Sequence, residues 1–200
     1  MGRQVLGLGG VAPRSARGLE LESALCHVRE MSQRRFFVQQ LATKLAEAGQ
    51  IAQRGGQAAH EAAKSMATAA EQKEDARVAL EFGGLACGLS ARARDARADA
   101  ATLAQFYSAG LSSFGRHTPI GLGAVVDIEM TRHEGSEERT FILLPVGAGT
   151  ELFGPGGDGF LTVVTPASPV GQQLMGRRAG EDFDLTLRGE PHLWRILDVS

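Results

Sequence analysis

The run Ser168 to Asp182, SPVGQQLMGRRAGED, decides how the second half of this chain is read. Serine is a good N-cap and proline is favoured at the first helical position, so Ser168-Pro169 starts a helix. Gly171 to Met175 then make a short helix, and Gly176 stands where a left-handed C-terminal cap is wanted. Gly180 follows as a turn residue before Phe183, Leu185 and Leu187, which alternate like a half-buried strand. Piece by piece, this is strand, short helix, turn, strand, a pattern that needs no function. The specificity lies in the whole string.

Outward from this run, the prolines divide the chain. They fall at 13, 119, 145, 155, 166, 169 and 191. The interval from Pro13 to Pro119 is rich in Ala, Glu, Gln, Arg and Leu and reads as helix. Pro119 to Ser200 is rich in Val, Ile, Thr, Phe and Gly and reads as short strands. The boundary falls in the turn-rich Ser112 to Thr118, SSFGRHT.

The helical half has the pattern of two antiparallel helices. Phe82, Leu85, Leu89, Arg92, Ala96, Ala100, Leu103 and Tyr107 step by threes and fours, close to a coiled-coil seam. Val38, Leu41, Leu45, Ala48 and Ala52 do the same in the earlier arm. Small seam residues let the arms approach closely. An arm of about 35 residues extends about 50 Å at 1.5 Å per residue, with the turn near Ser65 to Ala70. Gly83, Gly84 and Gly88 each weaken the second helix by roughly 1 kcal/mol relative to alanine, and the sequence offers no reason for them. Residues 1–30 fit neither half and are expected to be a disordered extension. The hairpin then spans 31–112.

Residues 118–200 are expected to hold strands at Ala124–Thr131, Thr140–Pro145, Leu161–Thr165, Phe183–Leu187 and Leu193–Val199. Glu134-Gly-Ser136 is a hairpin-turn candidate. Gly147 to Gly159 contains six glycines and reads as loop. The fold class is therefore α+β: a helical hairpin, then a small antiparallel sheet with one short helix.

Bulk properties narrow the function. With 43% hydrophobic residues and a net charge of −2, there is no global basic field for nucleic acid. Cys26 and Cys87 make no CxxC and no even framework, which suits a reducing cytosol. No apolar run approaches the roughly 20 residues of a membrane span, and residues 1–18 are too Gly-rich for a secretory core. Gly7-Leu-Gly9-Gly-Val-Ala12 mimics a dinucleotide fingerprint but precedes Pro13 and no βαβ pattern. His60-Glu61-Ala-Ala-Lys64 lacks the second histidine of a zinc-protease helix. His27, His117, His133 and His192 have no partner at metal-ligand spacing. Arg92, Arg94 and Arg97 alternate with Asp95 and Asp99, as on a solvated helix face.

Taken whole, Ser168, Pro169, Val170, Gly171, Leu174, Met175, Gly176, Arg177, Arg178, Gly180 and Glu181 resemble, in register, the C-terminal signature of the GreA/GreB transcript-cleavage factors. The resemblance extends over residues 31–200. It implies an FKBP-like C-terminal domain and bacterial RNA polymerase as partner, with the hairpin entering the polymerase's secondary channel. It also implies a cytoplasmic monomer that meets nascent RNA only indirectly. Docking would involve Ser168, Pro169, Gly171, Leu174, Gly176, Arg177 and Arg178.

Gre factors carry an acid-x-x-Glu-Asn-Ala segment at the hairpin tip. Glu71-Gln72-Lys73-Glu74-Asp75-Ala76 is similar to it, with Glu71 for the usual Asp and Asp75 for the usual Asn. The resemblance implies that Glu71 and Glu74, and more weakly Asp75, act in trans on the weakly held Mg²⁺ of the polymerase. Carboxylates suit that hard cation and can orient a water for phosphodiester attack. The protein would then be no enzyme and hold no cofactor of its own; it would complete the polymerase site and stimulate cleavage of backtracked transcripts. Against this, Thr68-Ala-Ala-Glu71 fits a capping box, and Glu74 and Asp75 suit the positive end of a helix. Two other functions remain open. One is a non-cleaving channel regulator or inhibitor, Rnk-like or anti-Gre. The other is an FKBP-like peptidyl-prolyl isomerase, for which Phe141, Phe153, Phe160, Phe183 and Trp194 are the available aromatics.

Overall fold

The computed structural model describes the backbone at 16–69, 73–115, 117–132, 135–157, 159–187 and 190–200. Side chains are described from Ser32 onward, except those of 67–69, 73–75, 132, 187, 190 and 191 within helices and strands.

Two long helices form the first half: α1, Ala16–Ala69, and α2, Lys73–Ser108. Helix α1 begins well inside the stretch 1–30 that the sequence sets apart. The turn is expected near Ser65–Ala70, but residues 65–69 are the end of α1, and α2 starts at Lys73. The helices pack along their length through small residues. A Cβ added to Gly49 would lie 3.4 Å from the Ala96 methyl, and one added to Gly56 would lie 3.6 Å from the Ala86 carbonyl. Ala52, Ala59, Ala86 and Ala93 are buried in this seam.

The seam takes in Ala86 and Ala93, one residue round from the stripe expected in α2, together with members of that stripe: Leu89 packs against Gly55 and Gly56, Ala96 faces Gly49, and Leu103 is buried. Leu85 and Tyr107 are exposed, and so is Ala48. The reason is steric. Where Gly49, Gly55 and Gly56 face α2 the backbones come close, so small residues occupy much of the seam, and Leu89 is accommodated against Gly55 and Gly56. Gly83, Gly84 and Gly88 are not explained by that packing, since a Cβ at each would meet nothing within 4 Å.

The second half is a six-stranded sheet, β1 Val125–Arg132, β2 Gly135–Leu143, β3 Glu151–Phe153, β4 Phe160–Val164, β5 Asp182–Leu187 and β6 Glu190–Val199, in the order β3-β4-β2-β1-β6-β5. It is mixed rather than wholly antiparallel: β2 and β4 run parallel, with Phe141 opposite Thr162 and Leu143 opposite Val164. The glycine-rich stretch is not all loop either. Glu151-Leu-Phe153 pairs with β4 because Leu152 is apolar enough to be fully buried, between glycines that turn the chain on both sides. Of the turn expected at Glu134-Gly-Ser136, residue 134 lies outside those described, as does 133, while Gly135 and Ser136 already belong to β2, opposite Arg132 and Thr131. The strands close on it from Val125↔Ile142 to Arg132↔Gly135.

Both faces of the sheet are covered. Phe141 and Leu143 enter one core with Ile128, Phe183, Trp194, Ile196 and Leu174 of the short helix α3, Pro169–Leu174. Ile142 and Leu144 enter a second core with Leu152, Val163 and the hairpin base residues Phe37, Val38, Leu41 and Leu103. Successive residues of a strand point to opposite faces, so all of 141–144 are buried. Helix α3 and the hairpin base thus cover opposite faces of one sheet. Among the described residues, no helix is long and apolar enough to cross a membrane.

Candidate functional site

The stretch from Ser168 folds as its capping chemistry predicts. The Ser168 hydroxyl oxygen accepts from the Gly171 N–H at 3.1 Å and the Thr165 N–H at 3.3 Å, and donates to the Thr165 carbonyl at 2.7 Å. One donor and two acceptor positions are all a hydroxyl has. Gly171 is required by space: a Cβ there would stand 1.9 Å from the Thr165 carbonyl oxygen. Leu174 is fully buried in the first core. The cap closes at Gly176, whose φ of 79° is left-handed and favours glycine.

The rest of the motif fastens the connector from the hairpin. Gly176 donates its N–H to the Ile120 carbonyl at 2.9 Å, and Ile120 donates back to the Arg177 carbonyl at 2.8 Å. Arg177 donates to the main-chain carbonyl and side chain of Gln173 and lies 5.0 Å over the Phe183 ring. A carboxylate oxygen of Glu181 is 3.9 Å away. Arg178 donates from Nε to the His117 carbonyl at 3.1 Å while remaining exposed.

Of the seven residues expected to dock a partner, Ser168, Gly171, Leu174, Gly176 and Arg177 thus have structural roles within the domain. Pro169 and Arg178 face solvent, together with Gln172 and Met175. An exposed, unbranched methionine is a soft and adaptable contact, and the sequence reading did not include it or Gln172. The signal for both was available: the helix buries Gly171 and Leu174, so positions 172 and 175 must turn outward.

Glu71 lies outside the described residues, as do the side chains of Glu74 and Asp75; the backbone of these last two belongs to the first turn of α2. Among the described residues, no three or more metal-ligating side chains gather in one place. Of the aromatics, Trp194 packs against Phe141 and Phe183 with ring centroids 5.8 and 5.6 Å apart. All three are buried. They fill the core and do not line a prolyl pocket, while Phe153 and Phe160 lie exposed on strands β3 and β4.

On the flank of the hairpin is an open groove of about 680 Å³, floored by Gly56, Ala86 and Ala93 and edged by His60, Arg94 and Arg97. Arg97 donates across the seam to the Gln53 side chain. That bond joins the arms and gives Arg97 a structural task.

Among the described residues, edge strand β5 and its neighbour β6 carry the one pair of groups with clearly shifted ionisation. Asp182 and Arg195 face each other in register on β5 and β6, bound at 2.8 and 2.9 Å. The Arg195 hydrogen bond holds the Asp182 carboxyl below the usual carboxylate range, and the same bond raises Arg195. Both are exposed, so this is a fastening of an edge strand and not a catalytic pair.

No protein-family model matches the chain. No curated protein matches it either. Among solved structures, GreA factor homolog 1 of Thermus thermophilus matches at 20% identity over 80% of this chain and 94% of its own, with a TM-score of 0.33. The corresponding factor of Thermus aquaticus matches at 18% over 82% and 93%, with a TM-score of 0.30. A GreA/GreB elongation factor of Nitrosomonas europaea matches at 20% over 42% and 61%, with a TM-score of 0.30. The chain thus matches solved structures of the GreA/GreB group, at low identity and, for two of the three, over most of its length.

Proposed function

We propose that this chain is a Gre-like factor that docks on bacterial RNA polymerase through its sheet domain, FKBP-like in that reading, and places its hairpin in the secondary channel. The observation that carries the proposal is the string SPVGQQLMGRR. It folds into a capped helix whose shape Ser168, Gly171 and Gly176 hold, while Pro169, Gln172, Met175 and Arg178 are left outward. Such a factor is cytoplasmic, acts on the polymerase and is not itself an enzyme.

Within this reading a channel-occupying regulator is favoured over a cleavage stimulator. Glu71 stands where the tip pattern has Asp, and Asp75 where it has Asn. An added methylene at Glu71 changes the reach of its carboxylate. A second carboxylate at 75 adds like charge beside Glu74. If the chain does stimulate cleavage, Glu71 and Glu74 are the groups that would share the polymerase's Mg²⁺.

The test is RNA cleavage on a stalled, backtracked polymerase complex. The wild-type chain is expected to bind and to suppress cleavage by an authentic Gre factor. Cleavage by the wild type that disappears in Glu71→Ala and Glu74→Ala, with binding retained, would establish the stimulator instead. A full-length Met175→Asp, Arg178→Glu double variant should lose binding. No binding of the wild type at micromolar concentration would remove the whole proposal.

A further inference from the structure

We propose that Gln40 is an orientation latch: its side-chain amide grips both main-chain groups of Phe153 and so fixes the direction in which the hairpin leaves the sheet domain. This does not rest on the polymerase reading. Phe153 lies in β3, one of the two edge strands of the sheet. Its neighbour Gly154 directs its N–H inward, to the Gly159 carbonyl. By the alternation of an antiparallel strand, the N–H and C=O of Phe153 point outward, away from β4. Gln40 meets both. Its Oε1 accepts from the Phe153 N–H at 2.9 Å, and its Nε2 donates to the Phe153 carbonyl at 3.3 Å. The amide behaves as one residue of a missing strand, and it closes an edge that would otherwise be open to pairing.

The surrounding contacts show why a directional grip matters. Beneath Gln40, Phe37, Val38 and Leu41 meet Ile142, Leu144, Leu152 and Val163. That contact is apolar, so it holds the base on the sheet by packing, with Leu41 seated against Gly147, and supplies no hydrogen bond of fixed direction. Two polar contacts accompany the latch. Lys44, one turn further along α1, has its ammonium 5.8 Å from the centre of the Phe153 ring. On the other side, Arg34 donates to the Ser112 carbonyl at 2.6 Å and lies 5.7 Å over Phe114. Gln40 binds an edge strand by two hydrogen bonds of fixed geometry. Leverage makes small angles large: the end of α1 lies about 44 Å beyond Gln40 at 1.5 Å per residue, so a tilt of about 10° moves it by about 8 Å.

The experiment measures that angle in the full chain. Spin labels are placed at Glu61→Cys on the hairpin and Glu138→Cys on the sheet, with Cys26 and Cys87 replaced by serine, and pulsed electron resonance gives the distance distribution. Gln40→Leu keeps the volume and removes both bonds. It is expected to broaden the distribution and to raise the displaced population about tenfold, the factor that one to two net hydrogen bonds represent. Gln40→Glu keeps the acceptor for the Phe153 N–H and loses the donor, so an intermediate width is expected. A Gln40→Leu distribution that superimposes on the unsubstituted one overturns the proposal. If Gln40→Leu also lowers helical content, Gln40→Asn decides, because its amide is too short to bridge both groups: broadening supports the latch and an unchanged width overturns it.

Discussion

The hairpin and the sheet domain are built on opposite packing strategies. The hairpin closes over Gly49, Ala52, Gly56, Ala59, Ala86 and Ala93, which bury little area each but let two backbones approach closely. The sheet domain closes over Trp194, Phe141, Phe183, Leu174 and Ile196 on one face and Ile142, Leu144 and Val163 on the other. Apolar burial contributes about 25 cal/mol per Å², so the sheet domain holds most of the stabilising area. The hairpin gains its stability from continuity along two long helices and from being rooted in the sheet's second core. One half is a body and the other a reach. Substitutions should therefore act very differently in the two.

The largest effect should come from the sheet domain. Trp194→Ala removes the ring between Phe141 and Phe183 and is expected to cost about 3–5 kcal/mol, read as a fall in the urea midpoint monitored by far-ultraviolet circular dichroism. A loss below 1 kcal/mol would show that the aromatic stack does not carry this core. In the hairpin, Gly56→Leu places a large side chain against Leu89 and the Ala86 carbonyl. Overpacking of this kind costs about 1–3 kcal/mol. It should lower far-ultraviolet helical signal while the near-ultraviolet signal of Trp194 stays. If both signals fall together, the two halves unfold as one unit.

Gly84→Ala reverses the sign. A Cβ there meets nothing within 4 Å, and alanine is the better helix former by about 1 kcal/mol, so the melting temperature should rise. A fall would mean that something packs on this face. The smallest effect concerns Asp182. Its carboxyl is held below the ordinary value in the folded chain by Arg195. A depressed carboxylate adds stability that is present above its unfolded pKa and is lost as pH falls through the folded one. Asp182→Asn should therefore be slightly less stable than wild type near pH 7 and equal to it once the pH is below the folded pKa. High salt should shrink the difference, since the pair is exposed.

The same contrast explains what could be read in advance. Large apolar residues marked where the strands of the sheet domain lie, alternating in β5 and β6 and continuous at 141–144, where both faces are covered; the exposed first part of β2, from Gly135, carries none and was not expected. In the hairpin that signal held in part: Val38, Leu41, Ala52, Leu89, Ala96 and Leu103 lie inward as their spacing implies. The stripe through Leu85 and Tyr107 follows residue size, yet much of the interface selects small residues, and both side chains are exposed. Strand β3 escaped because three residues among glycines carry no periodicity of their own; it forms only where β4 is already present to pair with it.

By itself the sequence determined the local events. Proline spacing set helices in the first half and strands in the second. Ser168, Pro169 and Gly176 set the start and stop of α3, because capping depends on neighbours within a few residues. The string that resembles the Gre signature was likewise complete in one dimension. Tertiary structure alone decided which motif residues serve the fold and which face outward, since that depends on Thr165, Ile120 and Phe183 arriving from elsewhere. It alone made the β2–β4 pair parallel, placed α3 and the hairpin base on opposite faces of the sheet, and brought Gln40 to Phe153 across 113 residues of chain. Such contacts join distant segments, and no local pattern of residue types encodes them.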